Sequence, residues 1–165
     1  MRILGIDPGI ALTGFGIVEK EGVSVTAGSY GHISTESGTP AAQRLKILYD
    51  DMVNIIIEYE PDVMVVEELF FNKNVKTAII AAQARGVIIL SAVNNGVDVA
   101  EYTPLQVKQA VIGYGRASKS QVQFMVKELL RLKEIPKPDD TADALAIAIC
   151  HANSVDILKS LERMK

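Results

Sequence analysis

Four carboxylates in this chain have the placement expected of a metal site. Asp7 closes the apolar run RILGID, Glu67 closes VMVVE, and Asp140 and Asp143 stand at the head of the apolar run ALAIAIC. Acids at the tips of buried elements are costly unless something neutralises them. A divalent cation does so, and oxygen-only ligands select Mg²⁺, with Mn²⁺ as a substitute, over Zn²⁺. His32 and His151 are isolated in the sequence and read as structural or surface residues, so no His/Cys cluster points to zinc. Two Mg²⁺ ions about 3.5–4 Å apart would activate a water and stabilise the leaving oxygen of a cleaved phosphodiester.

Each acid also has a plainer reading. Asp140 and Asp143 are three apart on a helix and share a face, but acids in a first helical turn complement the dipole, and Asp139 or Asp140 can simply cap it. Asp7 precedes Pro8-Gly9, which is turn chemistry. Glu67 is followed by Glu68, and a strand apolar on both faces offers no period by which to choose between them.

The elements that must bring these acids together follow from the pattern. Residues 2–7 read as a buried strand, and 13–19 and 23–33 as two more, joined by short connections into an antiparallel meander. Helical spacing of Leu45, Leu48, Met52, Ile55 and Ile56 predicts a helix over 41–59. A fourth strand spans 63–67 and a fifth 97–102, with a helix over 75–94 between them. That helix is apolar almost all round, which implies burial on more than one side, either by a neighbouring helix of the same chain or by a symmetry mate. Thr103-Pro104 predicts a capped helix over 104–112, Ser118 caps another over 119–132, and a last helix covers 139–153. The expected domain is 1–153, with 154–165 as a C-terminal tail that either continues the helix or frays. Hairpin strands followed by βα units imply an α/β protein, with one mixed five-stranded sheet flanked by helices on both faces. That arrangement is similar to the ribonuclease H fold. If the first and fourth strands are parallel neighbours, Asp7 and Glu67 end at one edge.

Composition sets the outer bounds. A chain of 165 residues, 48% of them apolar, is one domain with a real core. The lone Cys150 lies in an apolar helical run and reads as core filler. RILGIDPG lacks the apolar run of a signal peptide. Ala78–Val93, interrupted by Gln83 and Arg85, reads as too short and too polar for a bilayer. The expectation is a cytoplasmic protein with no membrane partner. Net charge is −3, which argues against nucleic acid, but it is unevenly spread. Residues 72–133 carry 9 basic and 3 acidic residues, whereas residues 1–71 carry 4 and 11. A positive middle beside acidic flanks suits a protein that holds both an anion and cations.

Several motifs, taken in order, then carry a resemblance: GIDPG at 5–9 with TGFGIV at 13–18, VVEELFFNKN at 65–74, AAQARGV at 81–87, YTPLQVKQAVIGYGRASKSQVQ at 102–123 and DDTADALAIAI at 139–149. Together they resemble the RuvC family of bacterial Holliday-junction resolvases over nearly the whole chain. The resemblance implies a homodimeric, Mg²⁺-dependent endonuclease that nicks two strands of a four-way DNA junction symmetrically in recombination and repair. RuvA and RuvB would be its branch-migration partners. It implies that the metal-binding acids are Asp7, Glu67, Asp140 and Asp143, choosing Glu67 over Glu68, and that Lys108 and Lys119 lie near the scissile phosphate, with Lys119 in the catalytic set. It selects Phe70 as the aromatic that stacks on an unpaired base, while Phe71 reads as packing under the sheet edge. Lys73, Lys76, Arg85 and Arg116 become candidates for backbone phosphates. The rival readings are another ribonuclease H-like nuclease of the YqgF type and, because GIDPG…TGFG echoes a phosphate-binding start, an ATP-binding domain of the actin and sugar-kinase type.

Overall fold

The computed structural model of the chain describes residues 1–68 and 75–162. Its elements are β1 (Arg2–Asp7), β2 (Leu12–Glu21), β3 (Ser24–Ser34), α1 (Ala41–Tyr59), β4 (Val63–Glu67), α2 (Val75–Asn94), β5 (Asp98–Tyr102), α3 (Pro104–Ile112), α4 (Lys119–Leu129) and α5 (Asp139–Glu162). The five strands form one sheet in the order β3-β2-β1-β4-β5. β1, β2 and β3 are antiparallel, as the short connections require, while β1–β4 and β4–β5 are parallel. The predicted mixed, doubly covered sheet is therefore present.

Alternation along the strands sends side chains to two separate cores. Ile3, Val63 and Val65 face α3, α4 and α5, where they pack with Val107, Val111, Val122, Leu145 and Ile149. Leu4, Ile6, Met64 and Val66 face α1 and α2, meeting Leu48, Met52, Ile56, Ala84 and Ile88. The central strands β1 and β4 are buried on both sides, which explains their unbroken apolar runs.

Local signals held at the helix starts. Thr103 and Ser118 each accept from the amide three residues on, and Gln106 and Gln121 reach back to complete two capping boxes. Two expectations are corrected, the end of α4 and the exclusion of α2 as a membrane span. α4 ends at Leu129 rather than 132: Arg131 takes a left-handed φ of 52°, and the Leu132 amide donates back to the Lys127 carbonyl, which closes the helix. α5 continues past 153 to Glu162, the helical of the two courses open to the tail; NSVDILKSLE contains no Pro or Gly to break it. Among the described residues, its own chain covers α2 on one side only. Ala84, Ile88, Ser91 and Ala92 face the core, but Ile79, Leu90 and Val93 are 53%, 51% and 61% exposed. Its window Thr77–Asn94 is also long and apolar enough, by length and composition, to cross a membrane, contrary to the reading that two polar interruptions exclude it.

Candidate active site

The parallel register Ile3↔Val63 to Ile6↔Val66 makes Asp7 and Glu67 the next residues out at the same sheet edge. Both belong to the strand face that carries Ile3, Val63 and Val65, so both point toward α5. Glu68 falls on the opposite parity, and its amide donates to the Tyr102 carbonyl at 2.9 Å. Glu67, not Glu68, lines the cleft between the sheet edge and the helices.

Two glycines let α5 lie directly on the strands. Gly14 pairs with Asp7 across the β1–β2 ladder, and a Cβ there would stand 2.0 Å from the Asp140 carbonyl oxygen. At Gly5 a Cβ would stand 2.1 Å from the Ala144 carbonyl oxygen. No other residue permits that approach. Thr141 Oγ1 adds a hydrogen bond to the Gly31 carbonyl on β3 at 3.1 Å, pinning the first turn of α5. Asp140 and Asp143 are thereby delivered to the edge where Asp7 and Glu67 end.

The electrostatics register this crowding. Burial, and then the charges of Asp143, Glu67 and Asp140, push the Asp7 carboxyl up to about 7, against the opposing pull of Lys119. Glu67 is raised by burial and by Asp143, with Lys108 and Lys119 working the other way. Asp143 is raised chiefly by burial although Lys119 bonds it. Burial pulls the Lys119 ammonium down, but its bond to Asp143 and the charges of Asp143, Asp139 and Asp140 outweigh this and hold it above its usual range. Lys119 Nζ lies 2.7 Å from Asp143 Oδ2. Lys108 and Lys119 line a cleft of about 230 Å³ together with Glu67 and Asp143, and its remaining wall includes Val107, Val122, Ala146 and Ile147.

The donor set fits a hard divalent cation. It is carboxylate oxygen throughout, half-buried, and mutually repelling, which is the chemistry that Mg²⁺ or Mn²⁺ relieves. As the side chains stand, no three Asp, Glu, His or Cys residues among those described converge closely enough to hold an ion; part of the counter-charge comes instead from Lys119.

Of the remaining expected residues, Arg116 is exposed on the loop between α3 and α4, just after the left-handed Gly113 that ends α3. Phe70, Phe71 and Lys73 lie outside the described residues, and Lys76 lies in the first turn of α2 with its side chain outside them. Arg85 is turned into the protein, with Nε donating to the Glu67 carbonyl and a terminal nitrogen paired with Glu101. His151 is no ligand candidate: its Nδ1 meets the Tyr102 hydroxyl at 3.1 Å. Sequence reasoning missed Gly5, Gly14 and Thr141. The available signal was glycine in two neighbouring strands facing a helix rich in alanine.

Fold and site together define a ribonuclease H-like protein whose clustered acids stand at the ends of two adjacent parallel strands and the head of the last helix. The family model of crossover junction endodeoxyribonuclease RuvC matches residues 3–151. The RuvC of Halothermothrix orenii is 62% identical over 154 residues, covering 93% of each chain. The solved structure of Thermus thermophilus RuvC superposes with a TM-score of 0.87 at 36% identity, covering 95% of this chain and 96% of that one. A second structure, T. thermophilus RuvC in complex with Holliday junction substrate, matches with the same TM-score of 0.87 at 34% identity and the same coverage. The chain belongs to the RuvC family of crossover junction endodeoxyribonucleases. That membership sets aside the YqgF-type and the actin and sugar-kinase readings.

Proposed function

We propose that the chain resolves four-way DNA junctions as a homodimer, with Asp7, Glu67, Asp140 and Asp143 as the ligands of two Mg²⁺ ions per active site and Mn²⁺ able to replace them. The observation that supports this most is the placement of four acids from β1, β4 and α5 at one sheet edge, where burial first, and then the neighbouring carboxylates, lift Asp7 to about 7. When bound, the ions supply the positive charge that makes a water nucleophilic and stabilises the leaving oxygen.

The chain's own residues do the rest. The four carboxylates fix the charge pattern at the cleft. Lys119, hydrogen-bonded to Asp143, holds an ammonium at the mouth of the cleft where a phosphate enters and where negative charge develops during cleavage. Lys108 presents a second cation to the same space. Val107, Val122, Ala146 and Ile147 line the floor with apolar surface, which lowers the local dielectric and strengthens both effects. Phe70 is proposed to stack on a base at the junction centre, and Lys73, Lys76 and Arg116 to contact backbone phosphates.

The homodimer reading rests on α2. Ile79, Gln83, Gly86, Leu90 and Val93 recur at steps of four and three along its outer side, and all are exposed. That is the spacing by which one helix packs on a copy of itself, with a glycine at the middle for close approach. We further assign residues 1–153 to the nuclease domain, 154–165 to a C-terminal extension, RuvA and RuvB as partners, and the cytoplasm as location.

The test is cleavage of a labelled four-way junction beside flap, duplex and RNA–DNA hybrid controls, with Mg²⁺ or with chelator. Mg²⁺-dependent, paired nicking of the junction alone is the expected result. Equal cleavage of hybrids and junctions, or cleavage undiminished by chelator, would count against it.

A further inference from the structure

Glu67 is the last residue of β4, and its backbone is held from two directions. On one side the strand continues into β5: Glu67 is in register with Tyr102, and the Glu68 amide bonds the Tyr102 carbonyl at 2.9 Å. On the other, Arg85 reaches out of α2. Its Nε donates to the Glu67 carbonyl at 3.2 Å, and its terminal nitrogen lies 2.7 Å from Glu101 Oε2. Glu101 immediately precedes Tyr102 on β5, so the guanidinium ties the end of β4 to the neighbouring strand and to α2 together.

The Arg85 side chain is only 17% exposed, against 44% for Glu101. A guanidinium presents its donors in a fixed planar fork, which suits two partners at once and suits a lysine poorly. To bind a backbone phosphate, the largely buried Arg85 would have to release both the Glu67 carbonyl and the Glu101 carboxylate. Its charge is therefore already used inside the fold. The carbonyl it grips belongs to Glu67 itself, its carbon bonded directly to the Cα that aims the side chain into the acidic cluster.

We propose that Arg85 is a positioning residue for the metal-binding acid Glu67, with Glu101 fixing the guanidinium, and that it does not contact DNA. This rests on the reading above that Glu67 is a metal ligand.

The test compares wild type with R85Q, R85K and E101Q in two arms. In the first, Mn²⁺ affinity of the DNA-free protein is measured by calorimetry. In the second, junction affinity is measured in chelator across a salt series, and cleavage is then timed at saturating junction with Mg²⁺. Groups that orient metal ligands change metal affinity or activity by about 10–100-fold, so R85Q is expected to lose that much in Mn²⁺ affinity and in turnover. R85K should recover part, keeping the ion pair with Glu101, and E101Q should fall between. Junction affinity and its salt slope should stay at wild-type values, since losing a true phosphate contact would reduce the slope by about 0.9. The inference is overturned if R85Q weakens junction binding and flattens the slope while Mn²⁺ affinity and turnover hold. It is equally overturned if all variants match wild type. If R85Q melts too low to assay, E101Q carries the same expectation from the more exposed end of the pair. A wild type that binds Mn²⁺ but leaves junctions intact would refute the resolvase reading and leave the Mn²⁺ arm to judge Arg85. A wild type that binds no Mn²⁺ would refute the metal reading of the acids and the role of Arg85 with it.

Discussion

Replacing Asp7 by Asn should stabilise the metal-free protein, and only above a definite pH. Asp7 is pushed from 3.8 to about 7 by burial and by Asp143, Glu67 and Asp140. Between those two values the folded chain holds a proton that the unfolded chain has lost, so folding stability falls as pH rises through the interval. The full difference corresponds to ~4 kcal/mol. Solvent and ion screening at the open cleft, together with side-chain relaxation, reduce this, and a net penalty of ~2 kcal/mol above pH 7 is the working figure. For a chain of this size that is about 4–8 °C in Tm. Asn keeps the volume and loses the charge, so Asp7→Asn and wild type should melt together near pH 4, with the variant ahead by that margin at pH 8 in chelator. Adding Mg²⁺ should reverse the order, because only wild type gains fully from ligand binding to the folded state. Scanning fluorimetry across pH, with and without Mg²⁺, reads this directly. A Tm difference that does not vary with pH, or a wild type that is the more stable protein at pH 8 in chelator, would refute the reasoning.

Other outcomes follow from the same geometry. Lys119→Ala should slow junction cleavage by about 10-fold or more while shifting Tm little, since Lys119 is more than half exposed and its ion pair with Asp143 is at the cleft mouth; a large Tm drop would mark it as structural. Gly14→Ala drives a Cβ to within 2.0 Å of the Asp140 carbonyl oxygen, and forced overpacking of that kind costs about 1–3 kcal/mol or more, so both stability and cleavage should suffer; an unchanged melting curve would show that α5 does not seat on β2 as described. Leu90→Glu places a charge in the exposed α2 stripe and should convert a dimer to monomers in sedimentation, with folding retained; a dimer that persists would move the seam elsewhere.

How much of this could be read from the chain depended on whether the deciding interaction was local. Asp7 and Glu67 stood out because each ends a strand buried on both faces, and unbroken apolar runs are visible in one dimension. Their meeting followed from topology, since a meander and two βα units leave β1 and β4 few places except side by side. The caps at Thr103 and Ser118 were legible for the same local reason. Gly14 was not, because its meaning lies in a carbonyl 126 residues away in sequence. Arg85 reads as one more cation in a basic stretch, and nothing in the spacing tells whether a guanidinium turns to solvent or to a strand end. The composition of α2 announces a wide apolar surface without saying how much of it the same chain covers. The end of α5 stayed open between helix and fraying because the absence of a helix breaker is a weaker signal than its presence.

The shared metal site is tested most directly by diffraction from crystals soaked in Mn²⁺, with data collected at a wavelength where manganese scatters anomalously. Anomalous density enclosed by Asp7, Glu67, Asp140 and Asp143, and absent from Asp7→Asn crystals, is the expected result. Manganese at saturating concentration bound elsewhere on the molecule, with the four carboxylates bare, would contradict it.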